Sequence, residues 1–224
     1  MYEEIRITIE AVSAIMCFIL LRFMIKPYEI TGESRYIGLP LGFGFLGATY
    51  VLSAVTYYLQ SQMPIVFLIE IFYIQLIART FAFLFIAITY YFSKKPTEKN
   101  RLLWKITLTL LIALFITSFL ISSIPDVTLS SYIIARNCLR VIDLIIILYI
   151  CIHVFRSHIE KPDPKTIWIP LGYIVLLVSQ YSALFFQLDG SFSALFAALI
   201  LRLVFLSIFI VVSFMAFYKT ENGE

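Results

Sequence analysis

The chain alternates long apolar runs with short polar breaks, and the lengths of those runs decide its fold class. A helix needs roughly 20 mostly apolar residues to cross a hydrocarbon core of ~30 Å, because each residue advances only ~1.5 Å. Runs of that length lie at about 5–26, 37–59, 65–92, 103–122, 131–155, 167–187 and 192–218. They predict an all-α, polytopic bundle of seven transmembrane helices that uses the whole chain, 1–224, as one membrane domain. The breaks carry turn chemistry, including Lys26-Pro27, Gln62-Met63-Pro64, Lys95-Pro96, Ile124-Pro125-Asp126, Lys161-Pro162 and Asp189-Gly190. The third run exceeds the core thickness and implies tilt or a protruding end.

The polar breaks also orient the bundle, because short cytoplasmic loops collect Lys and Arg. Lys26, Arg35, Lys94, Lys95, Lys99, Arg101, Lys105, Arg156, Lys161, Lys165 and Lys219 all fall after helices 1, 3, 5 and 7. The other side holds Arg6 with Glu3, Glu4, Asp126 and Asp189. This predicts a multi-pass protein with its N-terminus outside and its C-terminus in the cytoplasm, its basic face suited to anionic lipid headgroups. Nucleic-acid binding is disfavoured, since these charges sit in loops of topogenic length with little aromatic interleaving.

Composition agrees: 61% of residues are hydrophobic and 14% charged, against about 45–50% and about 25% in soluble domains. Three cysteines, Cys17, Cys138 and Cys151, lie inside apolar runs, which argues against a disulfide framework. The start, MYEEIR, is acidic where a secretory signal is basic, so the first helix is expected to remain.

Sliding the sequence against itself by 130 positions places helix 5 on helix 1 and helix 6 on helix 2. Ile37-Gly38-Leu39-Pro40-Leu41-Gly42-Phe43 then falls on Ile167-Trp168-Ile169-Pro170-Leu171-Gly172-Tyr173, and Arg6 falls on Arg136. Helices 3 and 7 join this register once about seven residues near Gln60 to Phe67 are dropped, which puts Arg79 on Arg202. The implied architecture is a 3+1+3 parallel repeat: repeat one at 1–93, a linker helix at 103–122 and repeat two at 131–219. Parallel repeats of this kind occur among transporters.

This layout is similar to that of SWEET-type sugar carriers, trimeric intracellular cation channels and microbial rhodopsins. The resemblance is architectural only. The proline-glutamine signature of the sugar carriers is absent, because the repeated Pro40 and Pro170 open helices 2 and 6 instead. Helix 7 has no lysine before Lys219 to hold retinal.

Charged groups inside the hydrocarbon zone are the most informative chemistry, since each costs at least ~2.5–3.5 kcal/mol at mid-helix. They are Glu10, Arg22, Glu70, Arg79, Arg136, Arg140, Asp143 and Arg202, five arginines against three acids. Arg22, Glu10 and Arg136 lie near helix ends and are read as snorkelling groups. Arg79, Arg140, Asp143 and Arg202 fall at mid-depth and must face the interior. Arg136, Arg140 and Asp143 share one face of helix 5 at i, i+4 and i+7.

The predicted ligand-binding set is therefore Arg79, Arg140, Asp143, Arg202, Glu70, Gln75 and Gln180. The competing reading is a salt-bridge network that only fixes helix register. Tyr50, Tyr57 and Tyr58 either join the pocket or anchor at the interface. The arginine surplus repels cations and matches the bidentate geometry of a carboxylate or phosphate. No catalytic constellation, metal site or cofactor motif is predicted, and His153 and His158, five apart, do not face the same way.

The expected function is transport of a small anion or polar metabolite. The alternatives are a ligand-sensing receptor acting through a separate cytoplasmic partner, with the basic Lys94–Lys105 loop as its contact, and a structural subunit of a membrane complex. Small residues four apart in helix 2, at Gly38/Gly42 and Gly44/Ala48, permit close helix contact within the bundle.

Overall fold

The computed structural model describes residues 2–92, 98–122, 129–160, 162 and 167–218. Its elements are α1 (Tyr2–Thr31), a 3-10 turn (Ser34–Ile37), α2 (Gly38–Leu59), α3 (Ile65–Tyr91), α4 (Glu98–Ser122), α5 (Leu129–Glu160), α6 (Trp168–Asp189) and α7 (Phe192–Tyr218). Among the described residues, seven helices are long and apolar enough to cross a membrane, the architecture of a multi-pass membrane protein. Large apolar side chains such as Ile15, Leu110, Ile145 and Ile200 remain on the outside. Lipid tails solvate such a surface, so helices here are held by close packing and internal polar contacts.

The helix ends follow local chemistry. Pro64 precedes the first residue of α3, where its lack of an N–H loses no helical bond. Gly190 ends α6 in the left-handed region at φ 70°, its N–H donating to the Phe186 carbonyl at 2.9 Å. The first helix differs from expectation, running through the break at Lys26-Pro27 to Thr31. Pro27 removes one backbone donor but does not end α1, because the stop is set by Gly32, at φ 65° with its N–H on the Tyr28 carbonyl at 2.8 Å. Likewise α4 begins at Glu98, ahead of the expected start at 103.

Six helices close into a ring: α1 packs on α2, α2 on α3, α3 on α5, α5 on α6, α6 on α7, and α7 returns to α1. The fourth helix stands outside that ring against α3. It is held by aromatic contacts, with Phe115 edge-on to Phe45 at 4.8 Å and to Phe81 at 5.3 Å, and with Trp104 buried beside Phe92.

Glycine sets the closest approaches. A Cβ on Gly42 would meet the Ile86 side chain at 2.5 Å and the Ala82 carbonyl at 3.0 Å, so α2 and α3 touch backbone to backbone there. On the other side of the ring, a Cβ on Gly172 would meet the Phe209 ring at 2.6 Å.

Candidate functional site

The buried stripe of α1 contains Glu10, Ser13, Ala14, Cys17 and Leu20, at the i, i+3, i+4, i+7 spacing of one helix face. Its acidic member meets α7: Arg202 Nη1 donates to Glu10 Oε1 at 3.3 Å and lies 3.1 Å from Oε2. Both side chains are almost wholly buried, at 7% and 5% exposure. Glu10 is thus not a snorkelling end group but the partner of a buried arginine. The Arg202 guanidinium also lies 4.3 Å from the ring centroid of buried Tyr50, which Arg79 approaches at 5.6 Å.

Glu10, Arg79 and Arg202 line one cavity of about 530 Å³. It sits inside the ring, at the end of the bundle where α1, α3, α5 and α7 begin and α2 and α6 end. Arg6, Arg79, Arg136, Arg140 and Arg202 contribute five positive charges to its wall, against two negative charges from Glu3 and Glu10. At the mouth, Arg6 donates to the Tyr57 hydroxyl and covers that ring at 3.8 Å. Deeper, Arg140 Nη1 donates to Gln180 Oε1 at 2.9 Å, tying α5 to α6.

Of the residues expected from the sequence, Arg79, Arg140, Arg202, Gln75 and Gln180 line this cavity. Gln75 has its amide committed to α2: Oε1 accepts from Ser53 at 2.9 Å, and Nε2 donates to Thr56 at 3.1 Å. Asp143 stands behind the wall, fully buried, under the charges of Arg140 and Arg79 with Thr80 beside it. Neither of its oxygens has a hydrogen-bond partner of good geometry. Glu70 is half-buried on α3 and is not among the lining residues. Tyr58 faces outward, 72% exposed, as an interfacial anchor would.

The two seams of the ring differ in charge. The α1/α7 seam pairs Glu10 with Arg202 one to one, whereas at the α3/α5 seam the like charges of Arg79 and Arg140 share the single carboxylate of Asp143. Arg79 is buried, and its Nε has no hydrogen-bond partner. An arginine does not discard its proton in such a place, so the arrangement favours negative charge entering from the cavity.

Past the deep arginines, farther from the mouth, the interior of the ring is filled by aromatic packing. Phe43, Tyr173, Phe205 and Phe209 are all buried, with ring centroids 4.8 Å apart for Phe205 and Phe209 and 4.9 Å for Tyr173 and Phe209. Tyr173 donates to the Tyr90 hydroxyl at 3.0 Å, which extends the layer to α3. Among the described residues, no group of three or more His, Cys, Asp or Glu side chains is placed to hold a metal ion.

No family model, curated protein or solved structure matches the chain. Its function is therefore read from the cavity itself.

The sequence places Glu10 and Arg136 among end groups and Arg6 on the outer surface, because depth alone distinguishes a snorkelling charge poorly from a buried one. A usable signal is present: Glu10 heads a run of small residues, Ser13, Ala14 and Cys17, at helical spacing. That is a packing face rather than a lipid face.

Proposed function

We propose that this protein binds a small anionic solute in the ring cavity and conducts it across the membrane, acting by binding and passage rather than catalysis. The observation that carries the reading is the excess of five arginines over two glutamates on the wall of one internal cavity. At an effective dielectric of ~20, a unit charge ~4 Å from one arginine interacts by about 4 kcal/mol before desolvation. The guanidinium charge in excess of the carboxylates therefore dictates the sign of the occupant.

Passage is supported by features expected of two parallel repeats. Shifting by 130 positions for α1 and α2, and by 123 for α3, turns the contacts α1–α2, α2–α3 and α3–α5 into α5–α6, α6–α7 and α7–α1, all of which the ring contains. The buried residues Pro170, Gly172, Tyr173, Leu176, Ser179 and Gln180 fall on Pro40, Gly42, Phe43, Leu46, Thr49 and Tyr50, which are also buried. One close glycine approach corresponds too, since Gly42 against Ile86 maps onto Gly172 against Phe209. In the N-out orientation favoured by the loop charges, the cavity faces the exterior, and the aromatic layer is the barrier that must part for passage.

One observation favours a second reading, a ligand-sensing receptor: beyond the cavity the interior of the ring is densely packed with aromatic side chains. In that reading a partner binds at the opposite face, where Lys94–Thr97 lie outside the described residues and Glu98–Lys105 form the first turns of α4.

Flux into proteoliposomes separates the two. Uptake of small carboxylates or phosphate esters that is saturable and abolished by Arg79→Gln supports passage. Anion binding without flux, together with a partner retained through the Lys94–Lys105 segment, sinks the transport reading and supports sensing.

A further inference from the structure

The helices α3 and α7 face the cavity in the same register. Phe72, Leu76 and Arg79 lie at i, i+4 and i+7 on α3, and Leu195, Leu199 and Arg202 repeat that spacing on α7. Each presents two apolar side chains one turn apart and then a guanidinium about one turn deeper, and on α3 the intervening Gln75 is committed to Ser53 and Thr56. An occupant that enters from the mouth passes between the apolar stripes before it meets the deep charges.

The two guanidinia differ in charge compensation. Arg202 has Glu10 as its ion-pair partner, with Nε and Nη2 left over, whereas buried Arg79, its Nε unpartnered, shares the single carboxylate of Asp143 with Arg140. A planar guanidinium donates two parallel N–H bonds to two oxygens of one oxyanion, the pairing that a carboxylate or phosphate makes best. Inorganic anions would satisfy the charge but would leave the apolar stripes wetted.

We propose that the cavity selects an amphiphilic oxyanion, whose carboxylate or phosphate head is held by Arg79 and Arg140 and whose apolar body lies between the α3 and α7 stripes. This rests on the anion-binding reading and narrows it. A cavity of about 530 Å³ lies in the size range of sites that enclose a whole small organic ligand, roughly 300–1,000 Å³. The head chemistry is shared by soluble organic acids and by anionic lipids.

The test is isothermal titration of the purified full chain in phosphatidylcholine nanodiscs with acetate and hexanoate. Hexanoate is expected to bind at least about tenfold more tightly than acetate, since burial of added methylenes is favourable. Arg79→Gln should weaken both by about tenfold or more, and the pair Leu76→Ala/Leu199→Ala should weaken hexanoate alone. Equal affinity for the two acids, still dependent on Arg79, overturns the amphiphile inference and leaves the anion site standing. No binding of either acid by folded protein overturns both.

Where Arg79→Gln fails to fold, Arg79→Lys and the leucine pair carry the test, and an unchanged hexanoate-to-acetate ratio in the leucine pair overturns the proposal. Added phosphatidylglycerol that displaces hexanoate assigns the ligand to the lipid, and the absence of displacement assigns it to a soluble acid.

Discussion

Glu10→Gln is the substitution whose consequence follows with fewest steps from the geometry. The carboxylate lies 3.1 Å from Arg202 Nη1, and both groups are buried. Coulomb attraction at that distance is about 5 kcal/mol at an effective dielectric of ~20, before desolvation. Removing one partner of such a pair typically destabilises by ~3–5 kcal/mol, because the remaining charge stays buried and uncompensated. For a chain of this size that corresponds to a fall in Tm on the order of 10 °C.

The assay is thermal unfolding followed by tryptophan fluorescence, with buried Trp104 and exposed Trp168 as reporters. Arg202→Gln should fall by a similar amount. The double variant should lose much less than the sum of the two single losses, since neither charge is then stranded. Glu10→Gln also frees a guanidinium in the cavity wall, so anions should stabilise it more than they stabilise the unaltered protein. Additive losses in the double variant, or no loss in Glu10→Gln, would show that the two charges do not depend on each other.

Asp143→Ala should destabilise by about 3 kcal/mol or more, whereas neutralising exposed Glu160 changes stability by less than about 1 kcal/mol, as chemical denaturation of the purified variants would read. Gly42→Val should lower Tm severely because its Cβ meets Ile86 and the Ala82 carbonyl, whereas Gly32→Ala, with no neighbour within 4 Å but a φ of 65°, should lose only about 1 kcal/mol in the same melt. Tyr173→Phe removes the bond to Tyr90 and should destabilise by about 1 kcal/mol, with a larger effect on flux than on anion binding if the aromatic layer is the barrier.

The seven spans were legible because a membrane demands long apolar runs, and α2, α3, α6 and α7 fall within about two residues of their expected limits. The extensions of α1 and α5 were not, since segments such as Lys26-Pro27-Tyr28-Glu29 are polar enough to read as loop yet remain helical until Gly32 supplies a stop. The ring order was not legible either, because apolar helices carry no pattern that distinguishes a neighbour from a lipid. Within the cavity, Arg79, Arg140 and Arg202 announced themselves by depth alone. What sequence could not show was their partners: Glu10 is 192 positions from Arg202, and Gln75 is absorbed by Ser53 and Thr56 rather than offered to a ligand.

Whether the cavity is an anion site is decided by ligand-dependent melting at fixed ionic strength. A panel of small carboxylates, phosphate esters and inorganic cations is added to the purified protein and to Arg79→Gln and Arg140→Gln. Anions should raise Tm in the unaltered protein, cations should not, and both substitutions should abolish the effect. Stabilisation by cations alone, unchanged in either variant, would mean that the arginine-lined cavity does not hold an anion.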